Sequence, residues 1–85
     1  MSTMIDERVS VNLLSSHLRH TVMPTSLSWR GRQYRIIKVG LHHTIQEGKT
    51  LCHIFSVTDG NSFFKLQFNT QSLNWKLLEI NDNTV

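Results

Sequence analysis

An all-β or mostly β fold is what this sequence predicts: a single-domain antiparallel meander of five or six strands, forming a small, partly closed barrel or roll. Three observations carry that expectation. From residue 25 onward, short runs alternate between apolar and polar residues, as half-buried strands do. Glycines at 31, 48 and 60 and a polar stretch at Asn69–Ser72 punctuate those runs at hairpin spacing. A change of parity at Ile36–Ile37 then demands an irregularity that bends the sheet over itself.

At 85 residues the chain is one domain, and a chain of that size buries only about 60% of its unfolded surface, so its core is thin. The polar ends, residues 1–7 and 81–85, are expected to fray, and the β core to span 24–80. Segment 8–23 reads two ways. Val9, Val11 and Leu13 alternate like a strand, whereas Val11, Leu14, Leu18 and Val22 fall on one helical face. A short strand at 8–13 followed by a loop to Pro24 is the favoured reading.

The first hairpin has Arg30-Gly31 as a two-residue loop, pairing Leu27 with Tyr34 and Trp29 with Arg32. Leu27, Trp29, Tyr34 and Ile36 then share a face, while Ile37, Val39 and Leu41 have the opposite parity, hence the bend at Ile36–Ile37. A three-residue loop, Gln46-Glu47-Gly48, pairs Leu41 with His53 and Val39 with Phe55. Asp59-Gly60 as a two-residue loop pairs Phe55 with Phe64, His53 with Leu66 and Leu51 with Phe68. Asn69–Ser72 as a four-residue loop sets Phe68 against Leu73, Leu66 against Trp75 and Phe64 against Leu77. All three large apolar sets then meet on one face, which supports the register because a slip of one residue sends the whole set to the other face.

On the opposite face this register places Lys38, Ser56, Phe63 and Leu78 in one row, Gly40, Ile54, Lys65 and Lys76 in the next, and His42, Cys52, Gln67 and Asn74 in a third. Lys65 and Lys76 directly opposite each other are unfavourable unless solvated or shared by an anion. The formal net charge is +3, and no Asp or Glu lies between Glu7 and Glu47, an interval holding Arg8, Arg19, Arg30, Arg32, Arg35 and Lys38. Such a distribution suits a polyanion, although net charge by itself argues only solubility and non-specific binding.

Other chemistry is thinly represented. One cysteine, Cys52, excludes an internal disulfide. With no apolar N-terminal run of signal-peptide type, the expected setting is cytoplasmic, and no stretch reaches the roughly 20 apolar residues of a membrane span. His17-x-x-His20 and His42-His43, with Cys52 opposite His42, are the candidate metal ligands. Neighbouring histidines on a strand point to opposite faces, so no tetrahedral set forms and no metal or cofactor is expected. His53 lacks an orienting acid or nucleophile, the carboxylates fall at turns and ends, and each glycine serves its own hairpin; no catalytic residue and no enzyme are expected.

The stretch "PTSLSWRGRQYRIIKV" resembles a family of small, largely uncharacterised bacterial β-rich proteins, whose pattern is matched here by Pro24, Leu27, Trp29, Arg30, Gly31, Arg32 and Tyr34. The family's later strands are similar to Phe63–Phe68 and Trp75–Leu78. His42 and His43 stand where such proteins tend to carry a Trp. A fainter similarity is to β-rich C-terminal segments of proteins allied to error-prone DNA polymerases. The resemblance implies a bacterial accessory protein of unknown function with a link to DNA, and it supplies no site residue.

The expected function is a non-enzymatic binding or accessory module with a basic face for nucleic acid. Arg30, Arg32 and Arg35 act at the hairpin, with Arg32 along Trp29, and Lys38, Lys65 and Lys76 on the outer sheet face. The alternative is a protein-interaction module or homodimer that uses the sheet edges or a patch of Ile54, Phe63 and Leu78.

Overall fold

A computed structural model describes residues 2–16 and 21–82. It is all-β: seven antiparallel strands form one sheet that curls into a half-barrel. The strands are β1 (Ser2–Ser16), β2 (Thr21–Trp29), β3 (Arg32–Arg35), β4 (Lys38–Glu47), β5 (Thr50–Thr58), β6 (Ser62–Asn69) and β7 (Trp75–Asp82). Their order across the sheet is β3-β2-β1-β7-β6-β5-β4. Every sequential pair is therefore laddered except β3 and β4, which occupy opposite edges of the sheet yet are joined by only Ile36 and Ile37. Two residues reach no more than about 7 Å, so the sheet must curl until its edges approach. The corner is fixed by Ile36 N–H donating to Thr25 O and Ile37 N–H donating to Thr58 O, each at 2.9 Å. This break in strand at Ile36–Ile37 is the irregularity that the change of parity predicts.

The seven strands exceed the five or six expected because the N-terminal segment is strand on both sides of residues 17–20. β1 is fifteen residues long and has two partners: residues 2–9 ladder with β7 and residues 10–16 with β2. Within residues 2–7, expected to fray, Ser2, Thr3, Met4 and Glu7 have partners on β7. The pairing Val9↔Trp75 joins chain segments that no local pattern connects. β2 includes Pro24, which sits opposite Leu13 where the β1–β2 register shifts; a residue without an N–H is tolerated at such an irregularity.

Val9, Leu27, Val57, Phe64, Leu66, Trp75 and Leu77 form the buried core, with Trp29, Tyr34, Ile36, Val39, Phe55 and Phe68 packed against it. The β2–β3 hairpin closes over the sheet, bringing Tyr34 to 5.2 Å from Phe64, ring centre to ring centre. The expected pairs Leu27↔Tyr34 and Trp29↔Arg32 are present, and Arg30 and Gly31 have φ of 52° and 77°, the two positive values of a type I′ turn.

Three other turns differ from expectation, and two of them share a cause. The loop after β5 pairs Thr58 with Phe63, so Phe55 faces Leu66 and Val57 faces Phe64. Asp59 Oδ1 accepts from the N–H groups of Asn61 (2.9 Å) and Ser62 (2.8 Å), which satisfies a four-residue loop in place of a two-residue one. After β6, Asn69 Oδ1 accepts from Gln71 and Ser72 N–H, both at 2.9 Å, and the loop lengthens until Phe68 faces Trp75 and Leu66 faces Leu77. Each loop gains two residues, and an even slip keeps every side chain on its face. The core side of Phe55, Phe64, Leu66, Phe68, Trp75 and Leu77 is therefore the expected one although their partners differ. Leu73, expected opposite Phe68, is instead 68% exposed in the loop with φ of 61°.

The turn after β4 slips by an odd number. Gly48 and Lys49 form a two-residue loop, Glu47 faces Thr50, and His42 faces Phe55. Leu41, expected on the core face, points outward at 68% exposure. A bulge at Gly40, between Val39 and Leu41, restores parity so that Val39 faces Val57 in the core.

Candidate functional site

The tip of the β2–β3 hairpin is tied to β1. Trp29 Nε1–H donates to Glu7 Oε1 at 3.3 Å, and Arg30 Nη2 donates to Glu7 Oε2 at 2.6 Å. The Arg30 guanidinium lies 4.6 Å from the Trp29 ring centre, so the residue stacked on Trp29 is Arg30, not Arg32. The Arg30 hydrogen bond holds the Glu7 carboxyl below its ordinary value of 4.5, with burial opposing and Trp29 assisting. The interval without acids in the sequence is thus not free of acids in space, because β1 runs past it.

Two more of the expected cations are also paired. Lys65 faces Glu79, 3.6 Å away, and not Lys76. The β6–β7 loop, two residues longer than expected, moves the partner of Lys65 from Lys76 to Leu78, and a register shift between Lys65 and Leu66, with Leu78 the extra residue on β7, moves it on to Glu79. Lys76 faces Gln67 on one side and Arg8 on the other, with Asp6 at 3.7 Å. Such exposed pairs are worth about 0–1 kcal/mol, yet each places a carboxylate where a phosphate would have to sit.

Arg32, Arg35 and Lys38 differ. All three are exposed, and among the described residues none makes an ion pair. They follow one another along the edge strand β3 and around the Ile36–Ile37 corner into β4. Lys38 continues as a row through Thr58 to Phe63, which is 47% exposed. The structure therefore brings Lys38 and Phe63 onto one outer row, with Asn81 and not Leu78 next to them. Arg19 lies outside the described residues.

The expected patch of Ile54, Phe63 and Leu78 does not assemble. Ile54 is 3% exposed, within the row that runs from His43 through it to Gln67. Leu78 is half-buried at the β7 bulge. The exposed apolar residues near Phe63 are Ile37 at 65% and Leu41 at 68%. Leu41 and Phe63 line a groove of about 270 Å³ with Lys38 and Gly40.

The inner face carries an arrangement that sequence reasoning missed. His42, His53, Phe55, Phe68 and Trp75 form a continuous tract of rings across β4 to β7. His42 stacks on Phe55 at 4.5 Å and 8°, and its Nε2 is 2.8 Å from His53 Nδ1. Burial, then the neighbouring His53 and His43, lower the His42 pKa from 6.5. Only the odd register of the β4 turn places His42 there; the expected register sends it outward beside Cys52. Cys52 is instead fully buried, faces Ile45 and accepts a weak bond from Gln67 Nε2 at 3.7 Å. His17 and His20 lie outside the described residues, and among the described residues no three His, Cys, Asp or Glu side chains are grouped to hold a metal. Among the same residues no helix is long and apolar enough to cross a membrane.

The class that this fold defines is a small antiparallel half-barrel with one cationic edge. No protein-family model, curated protein or solved structure matches the chain.

Proposed function

We propose that this protein is a non-enzymatic binding module that holds nucleic acid along its β3 edge and the adjoining corner. One observation carries the reading: Arg32, Arg35 and Lys38 are exposed in succession on that edge with no carboxylate partner among the described residues. Fork-shaped guanidinium groups suit phosphate oxygens, and Phe63, on the same row as Lys38, supplies an accessible ring for a base. Lys65, Lys76 and Arg30 contribute less because each already has an acid beside it. The test is an amide NMR titration with short single-stranded DNA at two salt concentrations. Shifts should gather on residues 32–38 and 63 and fade with salt; titration without shifts at low salt overturns the reading.

A second reading rests on Ile37, Leu41 and Phe63, large apolar side chains exposed around the same corner. In that reading the corner and the adjoining β4 edge receive a protein partner or a second copy of the chain. A concentration-dependent dimer in light scattering, abolished by Leu41→Lys, supports it; a monomer at all concentrations excludes the homodimer.

A further inference from the structure

The outer face of β4 to β7 carries two adjacent rows. One runs Lys38, Thr58, Phe63, Asn81, and the next runs Leu41, Ser56, Lys65, Glu79. Phe63 stands 47% exposed between two grooves. The first, of about 270 Å³, lies toward β4 and is walled by Lys38, Leu41, Ser56 and Val57. The second, of about 240 Å³, lies toward β7 and is walled by Ser56, Lys65, Glu79 and Asn81. Each is somewhat smaller than a pocket for a whole drug-sized ligand and suits one flat ring. The bulge at Gly40 shapes the first groove, setting Leu41 opposite Ser56 and leaving a residue without a side chain on the wall. A notional Cβ on Gly40 meets only Ser56 O, at an ordinary 3.6 Å.

Among the described residues the Phe63 ring contacts no other ring, and Lys38 makes no ion pair. The charges around Phe63 sort the two parts of a nucleotide. Lys38 ends the succession of unpaired cations that begins at Arg32, so phosphates are drawn to the corner side. Glu79, 3.6 Å from Lys65, keeps a phosphate out of the second groove but accepts from base N–H groups. In a duplex the base faces are stacked inside, so a ring with a groove on either side is filled only by unpaired bases.

Given the nucleic-acid reading above, on which this rests, we propose that the ligand is single-stranded, with Phe63 inserted between two successive unpaired bases, one in each groove. The probes are labelled ten-nucleotide strands read by fluorescence anisotropy at low salt: thymidine throughout, the same strand in a duplex, abasic throughout, and abasic except for one thymidine or two adjacent ones. The thymidine strand should bind about tenfold or more tighter than the duplex and the abasic strand. Two adjacent thymidines should restore most of that difference, and one thymidine less. Phe63→Ala should remove the difference without changing the salt slope, which counts phosphate contacts, and Phe63→Tyr should keep it. Gly40→Val, which fills the first groove, should weaken the thymidine strand and leave the abasic strand unchanged. Both positions are exposed, and an unchanged melting temperature checks that the variants fold. Equal binding by the thymidine and abasic strands, or by strand and duplex, overturns the proposal and leaves the edge reading standing. No binding by any strand overturns both. A dimer in light scattering that dissociates in Leu41→Lys gives the grooves to a second copy and also overturns the proposal.

Discussion

The middle of the sheet and its β3 edge carry the same kinds of cation and treat them differently. On β6 and β7, Lys65 and Lys76 have Glu79 and Asp6 within 4 Å. On β3 and the corner, Arg32, Arg35 and Lys38 have no such partner among the described residues. A central strand has a neighbour on each side to supply an acid, whereas an edge strand has one. Here that neighbour, β2, presents Ser26, Leu27, Ser28 and Trp29 to β3. The position of a strand in the sheet, more than the number of lysines and arginines, therefore decides which charges remain available to a partner.

Several substitutions break or sharpen this contrast, the largest effect coming from the middle. Leu77 is fully buried between Leu66 and β1. Leu77→Ala should cost about 2–5 kcal/mol in chemical denaturation, from lost burial and the residual cavity, with oligonucleotide affinity unchanged where the variant is folded. The edge should behave in the opposite way. Replacing Arg32, Arg35 and Lys38 by Glu should leave the melting temperature within a few degrees while lowering the salt slope of single-stranded DNA binding by about 2, roughly 0.7 for each lost phosphate contact. Lys65→Gln with Lys76→Gln should change that slope by about half as much or less; an equal loss would erase the distinction between paired and unpaired cations.

Smaller effects test the elements that hold the two regions together. Gly31 has φ of 77° with open space around a notional Cβ, so Gly31→Ala should cost about 1 kcal/mol in thermal unfolding, from backbone strain alone. The inner ring tract adds a pH dependence. His42 titrates below its ordinary 6.5 when folded, so the unfolded chain binds the proton more readily. The stabilisation is full above pH 6.5 and is lost as pH falls through the lower folded value. Glu7, also depressed, loses its share in the same direction below about 4.5. Melts from pH 7.5 to 5 should show stability falling, and His42→Phe should flatten that part of the curve.

Much of this architecture was legible locally. The type I′ turn at Arg30-Gly31, the shared face of Leu27, Trp29, Tyr34 and Ile36, and the break at Ile36–Ile37 follow from turn chemistry and parity. The core face survived two misjudged loops because Asp59 and Asn69 each lengthened a turn by an even count. The β4 turn differed by an odd count, and that single parity moved Leu41 outward and His42 onto Phe55. The charge pattern misled for a different reason. Spacing along the chain showed a long interval without acids, but Glu7 reaches Arg30 across 23 residues.

The sequence by itself determined an antiparallel β protein, much of the core face of β2, β3 and β5 to β7, and the place where the sheet must bend, because alternation and glycine turns act over a few residues. Only the tertiary structure decided that the N-terminal segment is a long strand between β2 and β7, which cations lose their freedom to a carboxylate, and that Lys38, Leu41 and Phe63 line one groove. Those outcomes depend on pairing between segments as distant as Val9 and Trp75. Such pairing is fixed by the closure of the whole sheet, for which no short stretch of residues carries a signal.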